Sequence, residues 1–183
     1  QGTWREIQDK LIVPKNQLIE LTKGSLTLGN LIVEPFAVSH DAADPIGINV
    51  FAGKDKATVV TDTGVISDSI LRRIDDTTLL VLEANYDPHM LRFGPYQPFL
   101  KQRVASDEGH LSNEMAAQAL LMMNRPNFMQ VILAHRSENN NNAVLVTQTI
   151  GKMLVDGGVR IGPEMKLQHG QPNEIVSMKS VKR

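Results

Sequence analysis

Residues 58–64 read TVVTDTG, a β-branched run that ends on Asp62 between two threonines and is followed by Gly64. Val and Thr in series are a strand signal, and an acid at the end of so apolar a strand calls for a reason. Two other stretches have the same form. In QVILAHRS (130–137) an apolar run ends on His135, and in VEPFAVSHDAADPIG (33–47) an extended run ends on His40. Three strand ends that each carry a metal-ligand type predict a single site where they meet.

Working outward, the chain alternates between short strands and helices, which is the pattern of an α/β or α+β domain. Residues 1–10 read as a short helix or turn. Residues 16–40 read as short strands with turns at Lys23-Gly24 and Gly29-Asn30, and Pro35 inside the last run marks an edge or bulge. IGINVFA and ATVVT flank GKDK as a hairpin. SDSILRRI (67–74) reads as a helix capped by Ser67, and TTLLVLEAN (77–85) as a buried strand ending on Glu83. Prolines and glycines break residues 86–110 into loop and helical turns. SNEMAAQALLMMN (112–124) is the clearest helix, with Met115, Ala119 and Met122 predicted on one face. FMQVILAH is a second buried strand. Residues 142–155 form a helix stopped by Gly157-Gly158, and one or two strands end the chain. ENNNN (138–142) is locally low in complexity.

Composition narrows the classes. The 183 residues are enough for one domain with a real core. A net charge of -1 gives no global basic field for nucleic acid, although a cleft alone can be positive. With no cysteine, any metal must be held by His and Asp or Glu. No apolar run reaches the ~18 residues of a membrane span, so no membrane partner is expected and the cytoplasm is the default location. QGTWREIQ lacks an initiator Met and reads like the interior of a domain.

A lone histidine is more often a core or surface residue than a ligand. His40 and His135 gain weight from their strand ends, and His110 from its place before the clearest helix, whose free N–H groups suit a phosphate. The bland reading of His110 is a hydrogen bond to the backbone at that helix start. Asp62 could be a turn acid, or a carboxylate that bridges two cations. Glu83 reads as a structural hydrogen-bonding partner, and His89 and His169 as surface residues in polar surroundings. Lys101, Arg103 and Arg136 read as solvated surface ahead of contacts to a nucleic-acid backbone.

The order of SHDAADPIG, TDTG and LAHRS resembles the later motifs of the metallo-β-lactamase fold. EANYDPHMLRFGPYQPFLKQR (83–103), GHLSNEMAA (109–117) and LAHRSENNN (133–141) are similar to the YycJ (WalJ) branch of exonuclease-like metallohydrolases. More distantly they are similar to tRNA 3′-processing ribonucleases. The resemblance implies an αββα sandwich, with this single domain (1–183) as its C-terminal two-thirds. It implies that His40 binds a first metal, Asp62 bridges, His135 binds a second, and His110 steadies the scissile phosphate as a catalytic residue. It also implies two divalent ions, Zn or Mn, about 3.5–4 Å apart, and 5′-3′ hydrolysis of a nucleic acid, DNA ahead of RNA. The family's HxHxDH motif is absent, and Tyr86 stands where many relatives carry His. The chain is therefore expected to be N-terminally truncated, inactive as it stands, and prone to pair with itself through an exposed sheet edge. Two alternatives stay open: a hydrolase of a small ester or thioester, and a non-catalytic fragment.

Overall fold

The computed structural model describes residues 2–19 and 24–177. The expected turn at Lys23-Gly24 lies partly outside them. Seven strands form one mixed sheet in sequence order: β1 (Leu26–Leu28), β2 (Leu31–Ala37), β3 (Ile46–Ala52), β4 (Asp55–Val60), β5 (Leu79–Glu83), β6 (Met129–Ala134) and β7 (Met165–His169). Strands β1 to β4 pair antiparallel, and β4 to β7 parallel. Six helices accompany them: α1 (Gly2–Ile7), α2 (Asp68–Ile74), α3 (Pro88–Phe93), α4 (Pro98–Val104), α5 (Asn113–Met122) and α6 (Ala143–Asp156). Residues 15–17 form a 3₁₀ turn, where a strand had been expected to begin. No helix among the described residues is long and apolar enough to cross a membrane.

Local chemistry accounts for the element ends. The β3–β4 hairpin closes through Gly53-Lys54, with Gly53 at φ 62°, a conformation that glycine enters without a Cβ penalty. Ser67 accepts the Ile70 N–H to cap α2, and Asp87 accepts the Met90 N–H to cap α3, just ahead of Pro88. Pro35 pairs with Ile48 of β3, whereas β1 reaches only Leu31, Ile32 and Val33 of β2. The proline thus sits where its missing N–H costs no ladder bond.

The helices lie on one face because the crossovers run one way. Each parallel connection from β4 to β7 moves to the next strand in the same direction, and right-handed crossovers then place every helix on the same side. The core shows this directly. Val60, Leu80, Leu82, Val131 and Leu133 are buried against Ile70 and Ile74 of α2, Leu120 of α5, and Ile150 and Leu154 of α6. The opposite face carries Val33, Ile48, Val59, Val81 and Ile132, which share it by strand register, and Val59 is 40% exposed. The two-sheet sandwich expected from the sequence is represented among the described residues by this one sheet.

One expectation is corrected. On α5 the buried face is Ala116, Ala119 and Leu120, continued by Met123 and flanked by the partly buried Met115, while Met122 is 65% exposed. Of the residues expected on the buried face, Met122 alone turns outward. The Asn run, low in complexity as a sequence, makes specific contacts. Asn113 and Asn141, both buried, exchange amide hydrogen bonds at 3.2 and 2.8 Å, and Asn141 donates to the Ala84 carbonyl. Asn142 caps α6 through the Leu145 N–H, and the Asn140 carbonyl accepts the Asp87 N–H. Asn141→Ala removes three of these hydrogen bonds at once. It is expected to cost about 2–3 kcal/mol, the upper part of the range for stranding buried polar groups, read as a lower urea midpoint at unchanged m-value.

Candidate metal centre

The carboxyl ends of parallel strands are where open α/β sheets place their ligands, and five chemistry-bearing residues sit at that end. Asp62 follows β4, His135 follows β6, and Glu83 closes β5 between them. His40 lies beyond β2, and His110 precedes α5. Both Asp62 (φ 56°) and His135 (φ 51°) are left-handed. That conformation is rare outside glycine but more accessible to Asp and His, and it costs of order 1 kcal/mol each. In return the chain turns sharply at the strand end and the two side chains face each other. Asn85 takes up the carbonyl that this turn exposes, donating to His135 O at 2.7 Å.

Glu83 is the hub. It is fully buried, and its Oε1 lies 2.7 Å from Nδ1 of His110 and 2.7 Å from Nδ1 of His135. Its Oε2 accepts the Thr63 N–H at 3.1 Å. Burial pushes the Glu83 carboxyl up, but the hydrogen bonds from His110 and His135 and the Thr63 amide outweigh it and hold the group below the usual carboxylate range. The same bond from Glu83 raises the His135 imidazole, against its partial burial. Asp41 binds Arg103 through a bidentate pair, and that guanidinium lowers its carboxyl.

These bonds fix how the imidazoles present themselves. His110 and His135 give Nδ1–H to Glu83, and His40 gives Nδ1–H to the Gly109 carbonyl at 3.0 Å. With Nδ1–H so engaged, the lone pair of the neutral ring lies on Nε2 and is available to a cation, the arrangement that supports metal-bound histidines. Nε2 of His135 stands 3.5 Å and Nε2 of His40 3.9 Å from Oδ1 of Asp62. The rings of His40 and His110, and of His110 and His135, lie 5.0 and 5.2 Å apart. Ligand atoms of His40, Asp62 and His110 all fall within 4.8 Å of one another. The second such group, Glu83 with His110 and His135, is the hydrogen-bonded hub itself. The donor set of His40, Asp62 and His110 therefore fits a divalent cation, with Nε2 of His135 close to the same Asp62 oxygen.

The structure brings together all four residues singled out in the sequence: His40, Asp62, His110 and His135. Glu83 takes the hydrogen-bonding role expected of it, and it, rather than the backbone, holds His110. His89 is exposed. His169 is not a loop residue: it ends β7, is half-buried, and bonds Thr147 at 2.8 Å. Tyr86 is a core residue packed with Leu91 and Val104. Arg136 is half-buried, and its Nη1 is enclosed without a hydrogen-bond partner, so it is not a solvated charge. The roles of Asn85 and the Gly109 carbonyl had no signal in the sequence, because they depend on which backbone groups the loops expose.

Comparison with known proteins agrees with this geometry. The beta-lactamase superfamily domain matches residues 3–135. The chain is 33% identical over 174 residues to a protein of Bacillus anthracis named exodeoxyribonuclease YycJ, covering 94% of this chain and 66% of that protein. It is 30% identical over 178 residues to the exodeoxyribonuclease WalJ of Streptococcus pneumoniae, with the same two shares. It thus spans just under two thirds of these relatives. Among solved structures, the metallo-beta-lactamase fold protein YhfI of Bacillus subtilis superposes with a TM-score of 0.62 at 14% identity, over 90% of this chain and 58% of that one. Zn(2+)-bound PqqB of Methylobacterium extorquens gives 0.51 at 16% identity, over 80% and 47%. With strand ends, helix layer and family match in agreement, this chain belongs to the beta-lactamase superfamily domain family.

Proposed function

We propose that the site serves metal-dependent hydrolysis of a DNA phosphodiester. The observation that carries this is the set of three imidazoles whose Nδ1 atoms are tied down, with two of the Nε2 atoms facing the Asp62 carboxylate. The names of the YycJ and WalJ relatives supply the substrate class. His40, Asp62 and His135 are the residues that would hold divalent cations, with Asp62 as the shared carboxylate. Bound there, divalent cations supply Lewis acidity and a hydroxide near neutral pH, from a water whose pKa falls toward ~7. His110, fixed through Glu83, is placed to donate to a phosphate oxygen as charge develops on it. Zn or Mn is the metal this donor set takes, and the bare sheet face and edge are where a second copy pairs.

If His110 is reserved for the phosphate, His40 and His135 each share Asp62, leaving each ion two protein donors against the three usual in catalytic zinc sites. Such an ion is held weakly. Elemental analysis of the desalted chain is expected to give well under two equivalents of metal, and that preparation is expected to be inactive. Two tightly held equivalents would overturn this. The activity is tested with free Mn²⁺ or Zn²⁺ in excess and duplex DNA labelled at the 5′ or the 3′ end. Metal-dependent release of label, abolished by EDTA, supports the proposal. Turnover of a chromogenic ester by a preparation that leaves DNA and RNA intact would sink it.

A further inference from the structure

A cleft of about 300 Å³ opens directly beside the imidazoles. His110 and His135 line it together with Asn85, Tyr96, Leu100, Arg103, Val104, Arg136 and Ser137. We infer that this cleft is a single-nucleotide subsite, in which Arg136 binds the phosphate next to the scissile one and Tyr96 carries the base. The inference rests on the phosphodiesterase reading of the metal centre and adds to it where the neighbouring nucleotide lies.

Three features point this way. The first is charge. Two arginines line the cleft, but Arg103 is already neutralised by Asp41. Arg136 forms no ion pair among the described residues, and its buried Nη1 has no hydrogen-bond partner. Its charge is therefore uncompensated at the cleft lining, and a phosphate supplies the opposite one. The second is the aromatic lining. Tyr96 and Leu100 pack on the small core of Tyr86, Leu91 and Val104, so the ring is backed by buried side chains and can act as a rigid stacking surface. The third is size. The volume lies at the lower end of the ~300–1,000 Å³ of small-ligand sites, room for one nucleotide and not for a run of them.

The lining also predicts the selectivity. Asn85 Nδ2 is spent on the His135 carbonyl, and Ser137 Oγ receives the Asn140 N–H. The cleft therefore offers a charge and a ring face but few free groups to read a base edge, so binding is sequence-tolerant.

The test is a titration in EDTA of the ¹⁵N-labelled chain with thymidine 5′-monophosphate, thymidine and inorganic phosphate. The monophosphate is expected to shift the Tyr96 and Ser137 amides and to bind at least tenfold more tightly than thymidine or phosphate. Arg136→Ala is expected to remove that tenfold advantage, with Arg136→Lys recovering part of it and both spectra otherwise native. Tyr96→Ala weakens nucleotide and nucleoside alike. The inference fails if Arg136→Ala leaves monophosphate affinity unchanged, if phosphate alone binds as well as the nucleotide, or if the shifts map elsewhere. Metal-dependent DNA cleavage without monophosphate binding would remove the subsite and leave the metal centre standing. Monophosphate binding without cleavage would do the reverse.

Discussion

Glu83→Gln is expected to be the most damaging isosteric change in the chain. The carboxylate accepts from two imidazoles on Oε1 and from the Thr63 amide on Oε2. A glutamine has one acceptor oxygen and one NH₂, so either orientation sets the NH₂ against a donor. Breaking a buried, hydrogen-bonded charge of this kind costs about 3 kcal/mol or more. At ~2–4 °C per kcal/mol for a domain of this size, the melting temperature falls by roughly 6–12 °C. The pH dependence follows from the two shifted groups. Glu83 is depressed from 4.5, so its contribution is present above that value and is lost as pH falls through the folded one. His135 is raised from 6.5, so its contribution is full below that value and is lost as pH rises through the folded one. In EDTA, the gap between wild type and Glu83→Gln should therefore be widest between pH 4.5 and 6.5. Thermal melts across that range check it, and a gap that stays flat or widens toward pH 9 would contradict the ion-paired hub.

Asp62→Asn separates the site from the fold. Asparagine tolerates the left-handed backbone at this position, and Asp62 is not part of the core. Stability in EDTA should change by no more than ~0.5 kcal/mol. Cation affinity should drop far more, because the one carboxylate among the described residues that lies within 4 Å of Nε2 of both His40 and His135 becomes neutral. A loss beyond ~100-fold is expected, past the 10–100-fold typical of disturbing a residue that merely supports a ligand. Competition against a chromophoric zinc chelator measures it. An unchanged zinc affinity would place the cation elsewhere.

Much of this was legible in the sequence, for identifiable reasons. The β-branched runs of β4, β5 and β6 are short and end abruptly in polar residues, so the strands could be read from period and position, and with them the convergence of His40, Asp62 and His135. Capping residues marked α2 and α6. What was not legible depends on geometry across the sheet. On α5 the core-facing side was read correctly at Ala119 and Met115, and Met122 was misplaced because it faces outward at the helix end. The paired amides of Asn113 and Asn141 come from segments 28 residues apart, so a run of Asn carries no sign of its partner. Arg136 looked like any charge beside a ligand until the fold enclosed its Nη1.

The strict succession of strands, β1 through β7 with every neighbour also the next in the chain, bears on how the molecule assembles. No strand has to wait for a distant segment and then insert between two others. A chain emerging from a ribosome can extend its sheet at one growing edge, laying down helices after β4, β5 and β6, and the entropy of closing long loops stays small. Glu83 arrives before either imidazole that it later holds. The hub is therefore finished only when β6 docks, and a nascent chain stopped short of residue 135 carries a buried acid without the second of its imidazoles.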